Sequence, residues 1–147
     1  MTQDPSPAEA LAAIRDSRDA VARRVAKGSW TYDLTYSAVT AVMIGAHAFP
    51  SPVGVLGSSF GALGLALLSR QWAAKNGVFV SGVSPRRARW VALGLGVVLV
   101  GMILGVVWAR REGVWWLPLP LAAATFVASL TASRLWLRVY RAETGQA

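Results

Sequence analysis

Between Leu34 and Ser69 the chain reads LTYSAVTAVMIGAHAFPSPVGVLGSSFGALGLALLS, thirty-six residues without one Lys, Arg, Asp or Glu. A helix that crosses a bilayer needs about 20 apolar residues, so this stretch predicts two spans. The division falls at Phe49, Pro50, Ser51 and Pro52, because prolines cannot continue a helix and push their predecessors toward extended backbone. Two further apolar blocks follow, Trp90 to Ala109 between Arg89 and Arg110, and Val114 to Ser133 closed by Arg134. With flanking turns the expected spans are residues 30–49, 53–74, 86–110 and 114–137. Backbone groups in hydrocarbon must be paired within their own segment, and the alternation of a barrel strand is absent, so all four are expected to be helices.

The whole chain agrees with this reading. It has 147 residues, 54% hydrophobic and 15% charged, with a net charge of +8. Long apolar runs exclude collagen-like and disordered classes. Without cysteine there is no disulfide framework, thiolate metal site or thiol nucleophile, and a single histidine excludes a histidine cluster within one chain. No G-x-S-x-G elbow, H-E-x-x-H or P-loop is present, and the bare G-x-G at Gly94 and Gly96 falls inside an apolar span. Ser84, Pro85, Arg86 and Arg87 have the composition of a basic turn for a DNA minor groove, but before an apolar run they read as a helix cap. Neither catalytic residues, nor cofactor or metal, nor a nucleic-acid partner is expected.

Cations set the orientation. Arg15, Arg18, Arg23, Arg24 and Lys27 precede the first span; Arg70, Lys75, Arg86, Arg87 and Arg89 lie between the second and third; Arg134, Arg138 and Arg141 follow the fourth. Only Arg110 and Arg111 fall on the other side, which places both termini in the cytoplasm and the protein in the plasma membrane. The inner cations then meet anionic lipids of the inner leaflet. Trp30, Trp72, Trp90 and Trp136 fall at the inner boundary and Trp108, Trp115 and Trp116 at the outer one, as expected of aromatic belts. Ala46, His47 and Ala48 resemble a signal-peptidase site, but the preceding segment is too long and acidic for a leader, so the first span is expected to be retained.

The expected fold is therefore all-α, an integral membrane bundle of four transmembrane helices at 30–138 preceded by a cytoplasmic amphipathic helix at 1–29 and followed by a cytoplasmic tail at 139–147. Ser6, Pro7 and Glu9 form a capping box for that first helix and Gly28 stops it. Leu11, Ile14, Val21 and Val25 line one face with Arg18 in the missing place. Arg15 with Asp19, and Asp19 with Arg23, are spaced for exposed ion pairs. A short coiled coil, a docked partner and the inner leaflet compete for the apolar stripe. Arg134, Arg138 and Arg141 share a face expected to reach lipid phosphates. Asn76 and Gly77 stop the second span's helix, and Val78 to Val83 read as an extended apolar strip.

Ionisable residues inside a membrane are functional candidates by default, and there are two. Asp33, at the inner edge, is expected either to pair with Arg134 or Arg89 or to remain solvated at its helix start; His47, near the outer surface, is either a pH-sensitive group or merely interfacial. Small residues supply a third set of candidates. Gly54, Gly57, Gly61 and Gly64 share a face of the second span, Gly94, Gly101 and Gly105 one of the third, and Ala122, Thr125, Ser129, Ala132 and Ser133 one of the fourth. Such faces permit close helix approach, expected mainly within the chain and also in a homodimer.

The order of a charged amphipathic helix, a Trp30 and Tyr32 entry, a tight outer turn, the strip Gly77, Val78, Phe79, Val80, Ser81, Gly82 and two further spans resembles small uncharacterised four-span membrane proteins of actinobacteria. The likeness covers most of the chain and implies architecture alone. The expected function is that of a non-enzymatic accessory or regulatory membrane subunit, acting on a membrane protein partner through helix faces and its first helix. The alternative is a small dimeric exporter or channel, whose proton coupling needs an acidic residue within the first span, where only Asp33 is available. An intramembrane enzyme comes last, for want of a nucleophile and base.

Overall fold

The computed structural model describes residues 6–76 and 87–145. These are all-α: α1 Pro7–Lys27, α2 Trp30–Gly45, a 3-10 turn Ala46–Ala48, α3 Val53–Asn76, α4 Ala88–Arg111 and α5 Pro118–Thr144. The stop at Gly77, the strip 78–83 and the Ser84 cap lie outside the described residues.

Local chemistry sets the boundaries. Ser6 accepts from the Glu9 N–H at 3.3 Å while the Ser6 N–H donates to Glu9 at 2.8 Å, closing the capping box. Gly28 ends α1 at φ +62°, a backbone that L side chains rarely adopt. Ser29 then caps α2 by accepting from the Tyr32 N–H. The fourth expected span is corrected at its start. Residues 114–117 form a turn, not helix, and α5 starts at Pro118 because proline with no N–H belongs in a first turn. At its other end α5 absorbs most of the expected tail, running through Thr144 with Tyr140 buried.

α2 and α5 lie antiparallel at the centre, α3 packs on α2, α4 packs on α5, and no comparable packing joins α3 to α4. The arrangement is open rather than a closed square. Two helices are long and apolar enough to cross a membrane, Val53–Lys75 and Ala88–Arg111. Only 11% of the first apolar window and 6% of the second is buried, so neither is the core helix of a soluble fold. Phe60, Val97 and Leu104 are among the large side chains they leave exposed.

The first helix is anchored at one end and open at the other. Its last turns dock on the chain's own α5: Val25 and Ala26 are buried, Gly28 sits against Leu137, and the Arg141 guanidinium donates to the Ala26 carbonyl from Nε at 2.9 Å and Nη2 at 2.7 Å. Arg141 thus satisfies a carbonyl orphaned at a helix end rather than reaching for phosphate. Leu11 and Ile14, 57% and 50% exposed, stay uncovered at the other end. Neither expected ion pair forms, and Arg15, Asp19 and Arg23 point to water, where such pairs gain little.

Candidate functional site

Asp33 stands in the first turn of α2, where the helix dipole favours a carboxylate, and faces α5 with 6% of its surface exposed. Its Oδ1 accepts from the Ser133 hydroxyl at 2.6 Å, and Arg134 Nη2 lies 3.0 Å from Oδ2. The second contact is close but not aligned as a hydrogen bond, so it holds as an ion pair while Arg134 Nε stays buried without an acceptor. The guanidinium lies over the Trp30 ring, 3.5 Å from its centre. Of the two cations expected near Asp33, only Arg134 is there; Arg89 is turned to its neighbour Trp90 at 5.5 Å. This arrangement is a strut. It ties the start of α2 to the last turns of α5.

Above Asp33 runs a polar seam. Asp33 meets Ser133, and Gly45 comes close to Ala122; the antiparallel register between those contacts sets Ser37 level with Ser129 and Thr40 near Thr125. All four hydroxyl residues are buried. Thr40 and Thr125 donate back to the Tyr36 and Leu121 carbonyls, each at 2.8 Å, whereas Ser37 and Ser129, both 0% exposed, have no partner for Oγ. The small face expected on the fourth span is here, turned to α2. Ser37 and Thr40 are its partners on α2, four and seven residues on from Asp33 and therefore on the same helix face.

Beside the seam, Tyr32, Tyr36, Trp72 and Trp136 close around a cavity of about 240 Å³, floored by Val91 and Leu95 of α4. Two of the tryptophans assigned to the inner belt therefore face inward. Tyr32 and Trp72 contact at 5.9 Å between ring centres.

At the far end of α2 from Asp33, His47 lies in the 3-10 turn. Its Nδ1–H donates to the Met43 carbonyl at 3.0 Å, and the Ser58 hydroxyl, which donates to Gly54, stands 3.4 Å from both ring nitrogens. Arg110 reaches across to donate to the Phe49 carbonyl at 3.2 Å. Those two bonds fasten the α2–α3 turn to itself and to α4. Next to them lies an apolar groove of about 930 Å³, with Arg110 its charged lining residue.

The glycine faces divide. A Cβ on Gly57 would fall 2.6 Å from Ala46 Cβ, one on Gly61 2.6 Å from Met43 Cβ, and one on Gly54 2.6 Å from the Phe49 carbonyl oxygen; Gly64 has ordinary contact with Val39. The α3 face therefore packs on α2 and its turn. On α4 the expectation of packing within the chain is corrected. Gly105 approaches Leu121, but Gly94, Gly96 and Gly101 have nothing within 4 Å, since the α4 side that meets α5 carries Ala88, Val106 and Ala109. Among the described residues no group of acids and histidine could hold a metal ion. No family model, curated protein or solved structure matches the chain.

Proposed function

We propose that the chain crosses the plasma membrane four times with both termini cytoplasmic, and that it is a non-enzymatic accessory or regulatory subunit. The observation that carries the first part is the distribution of polarity. The central helices α2 and α5 turn buried polar residues toward each other, Asp33, Ser37 and Thr40 against Thr125 and Ser129; the flanking α3 and α4 are apolar on sides that touch no protein. A water-soluble fold has the reverse arrangement. The 16 residues of α2 and the 3 of its 3-10 turn together span about 30 Å, the thickness of a hydrocarbon core. The 27 residues of α5 exceed it. Reporter fusions at the two ends test the topology; opposite sides would overturn it.

The accessory role is supported by what the chain leaves unused. α1 offers Leu11 and Ile14 beyond its docked turns, and α4 offers Gly94 and Gly101 on an open face. These suit a membrane protein partner or a second copy, in a bilayer whose inner leaflet carries anionic lipid. Purification from native membranes in mild detergent, with crosslinking, is expected to recover an associated chain; monomer alone would count against the reading. The aromatic cavity favours a second reading, a small dimeric exporter or channel. Proton coupling at Asp33 is disfavoured by its cation partner. Substrate flux in reconstituted vesicles that Asp33→Asn abolished would reverse the order.

A further inference from the structure

A separate cleft of about 370 Å³ opens at the inner end, between the close of α1, the start of α2 and the last turns of α3. Among the described residues its charged lining is Arg24 and Lys75, from two different helices, with no carboxylate. Neither cation has a hydrogen-bond or ion-pair partner among the described residues. Two like charges brought to one cleft repel unless an anion lies between them.

The remaining wall is made of donors. Ser29, Thr31, Thr35 and Gln71 line it, and the first turn of α2 opens beside them. Thr40, Thr125 and Thr131 all bond back to their own helix carbonyls, whereas Thr31 and Thr35 do not and keep their hydroxyls for the cleft. Leu68 and Trp72 supply an apolar side toward the bundle. Two cations and a row of hydroxyls are the chemistry of phosphate recognition.

We propose that this cleft binds the phosphate of an anionic lipid headgroup, held between Arg24 of α1 and Lys75 of α3 with the Thr31 and Thr35 hydroxyls donating to its oxygens. The assignment rests on the four-span reading, which sets the cleft at the level of the inner headgroups. The bound headgroup ties α1 to α3, which otherwise touch only slightly.

The test uses the full chain in detergent and follows its thermal unfolding midpoint against added short-chain phosphatidylglycerol, phosphatidylcholine of equal chain length, glycerol phosphate and inorganic phosphate. Phosphatidylglycerol is expected to stabilise at concentrations at least tenfold below phosphatidylcholine. Arg24→Gln and Lys75→Gln are each expected to weaken that response about tenfold. Arg23→Gln, one residue away and outside the cleft, leaves it unchanged. Thr35→Val keeps the charge and is expected to give a smaller loss, which guards against a charge variant that fails to fold. Equal responses to the two lipids, or a response indifferent to Arg24, Lys75 and Thr35, would overturn the site. Glycerol phosphate or inorganic phosphate acting as strongly as the lipid would make the occupant a soluble anion and overturn the lipid assignment. Fusions that place the two ends on opposite sides would instead sink the topology, whatever the phosphate response.

Discussion

The side chains that bear most on this protein's stability are those that satisfy polar groups where water is scarce. Asp33 and Arg134 are 101 positions apart, yet each neutralises the other where α2 begins. Asp33→Asn and Arg134→Gln are each expected to lower the unfolding midpoint, and the double variant to cost less than their sum. The coupling in a double-mutant cycle is expected at about 1–3 kcal/mol for contacting residues, and additive losses would show that the pair does no work. Ser37 and Ser129 present the opposite case, being buried hydroxyls without partners. Replacing both by alanine removes unsatisfied oxygens and is expected to be neutral or stabilising; a clear loss of thermal stability would point to an ordered water bridging them. Glu9, in water, titrates. The Ser6 N–H and hydroxyl hold its carboxyl below the ordinary value of 4.5. Its capping contribution is therefore complete above that ordinary value and fades as pH falls through the lowered one. Circular dichroism should show α1 losing helix on acidification, and Glu9→Ala should remove that pH dependence.

Helices were legible where the sequence carries a local chemical signal. The capping box, the Gly28 stop and the proline break at 50–52 mark the ends of α1 to α3 within a residue or a few. The start of α5 was misplaced because Val114 to Leu117 are apolar enough to pass for helix, although Pro118 and Pro120 are the residues that fix its first turn. Glycine patterning separates in the same way. A G-x-x-x-G face states that close approach is permitted; it does not name the neighbour. Gly61→Val is expected to force α3 from α2 and cost roughly 1–3 kcal/mol, because Met43 already occupies the space. Gly101→Val meets nothing within the chain and is expected to leave the monomer's stability unchanged. If it instead weakens a crosslinked dimer, the open face of α4 is where the copies meet.

Over the whole molecule the all-α character and the exposed apolar flanks follow from composition and run length, which report on solvent and not on contacts. Which helix neighbours which was not legible. Asp33 had two cations to choose from by depth, and only the antiparallel register of α2 against α5 selects Arg134 over Arg89. Likewise the sequence places Arg141 after the last apolar run but does not reveal the open carbonyl at Ala26 that it meets. That clasp has an effect on the order of events in synthesis. α1 finds its seat only on α5, which is made after α2, α3 and α4, so Val25 and Ala26 must wait, uncovered, until α5 has been synthesised. Chains cut short after Ser133 are expected to leave the amino-terminal segment accessible to protease.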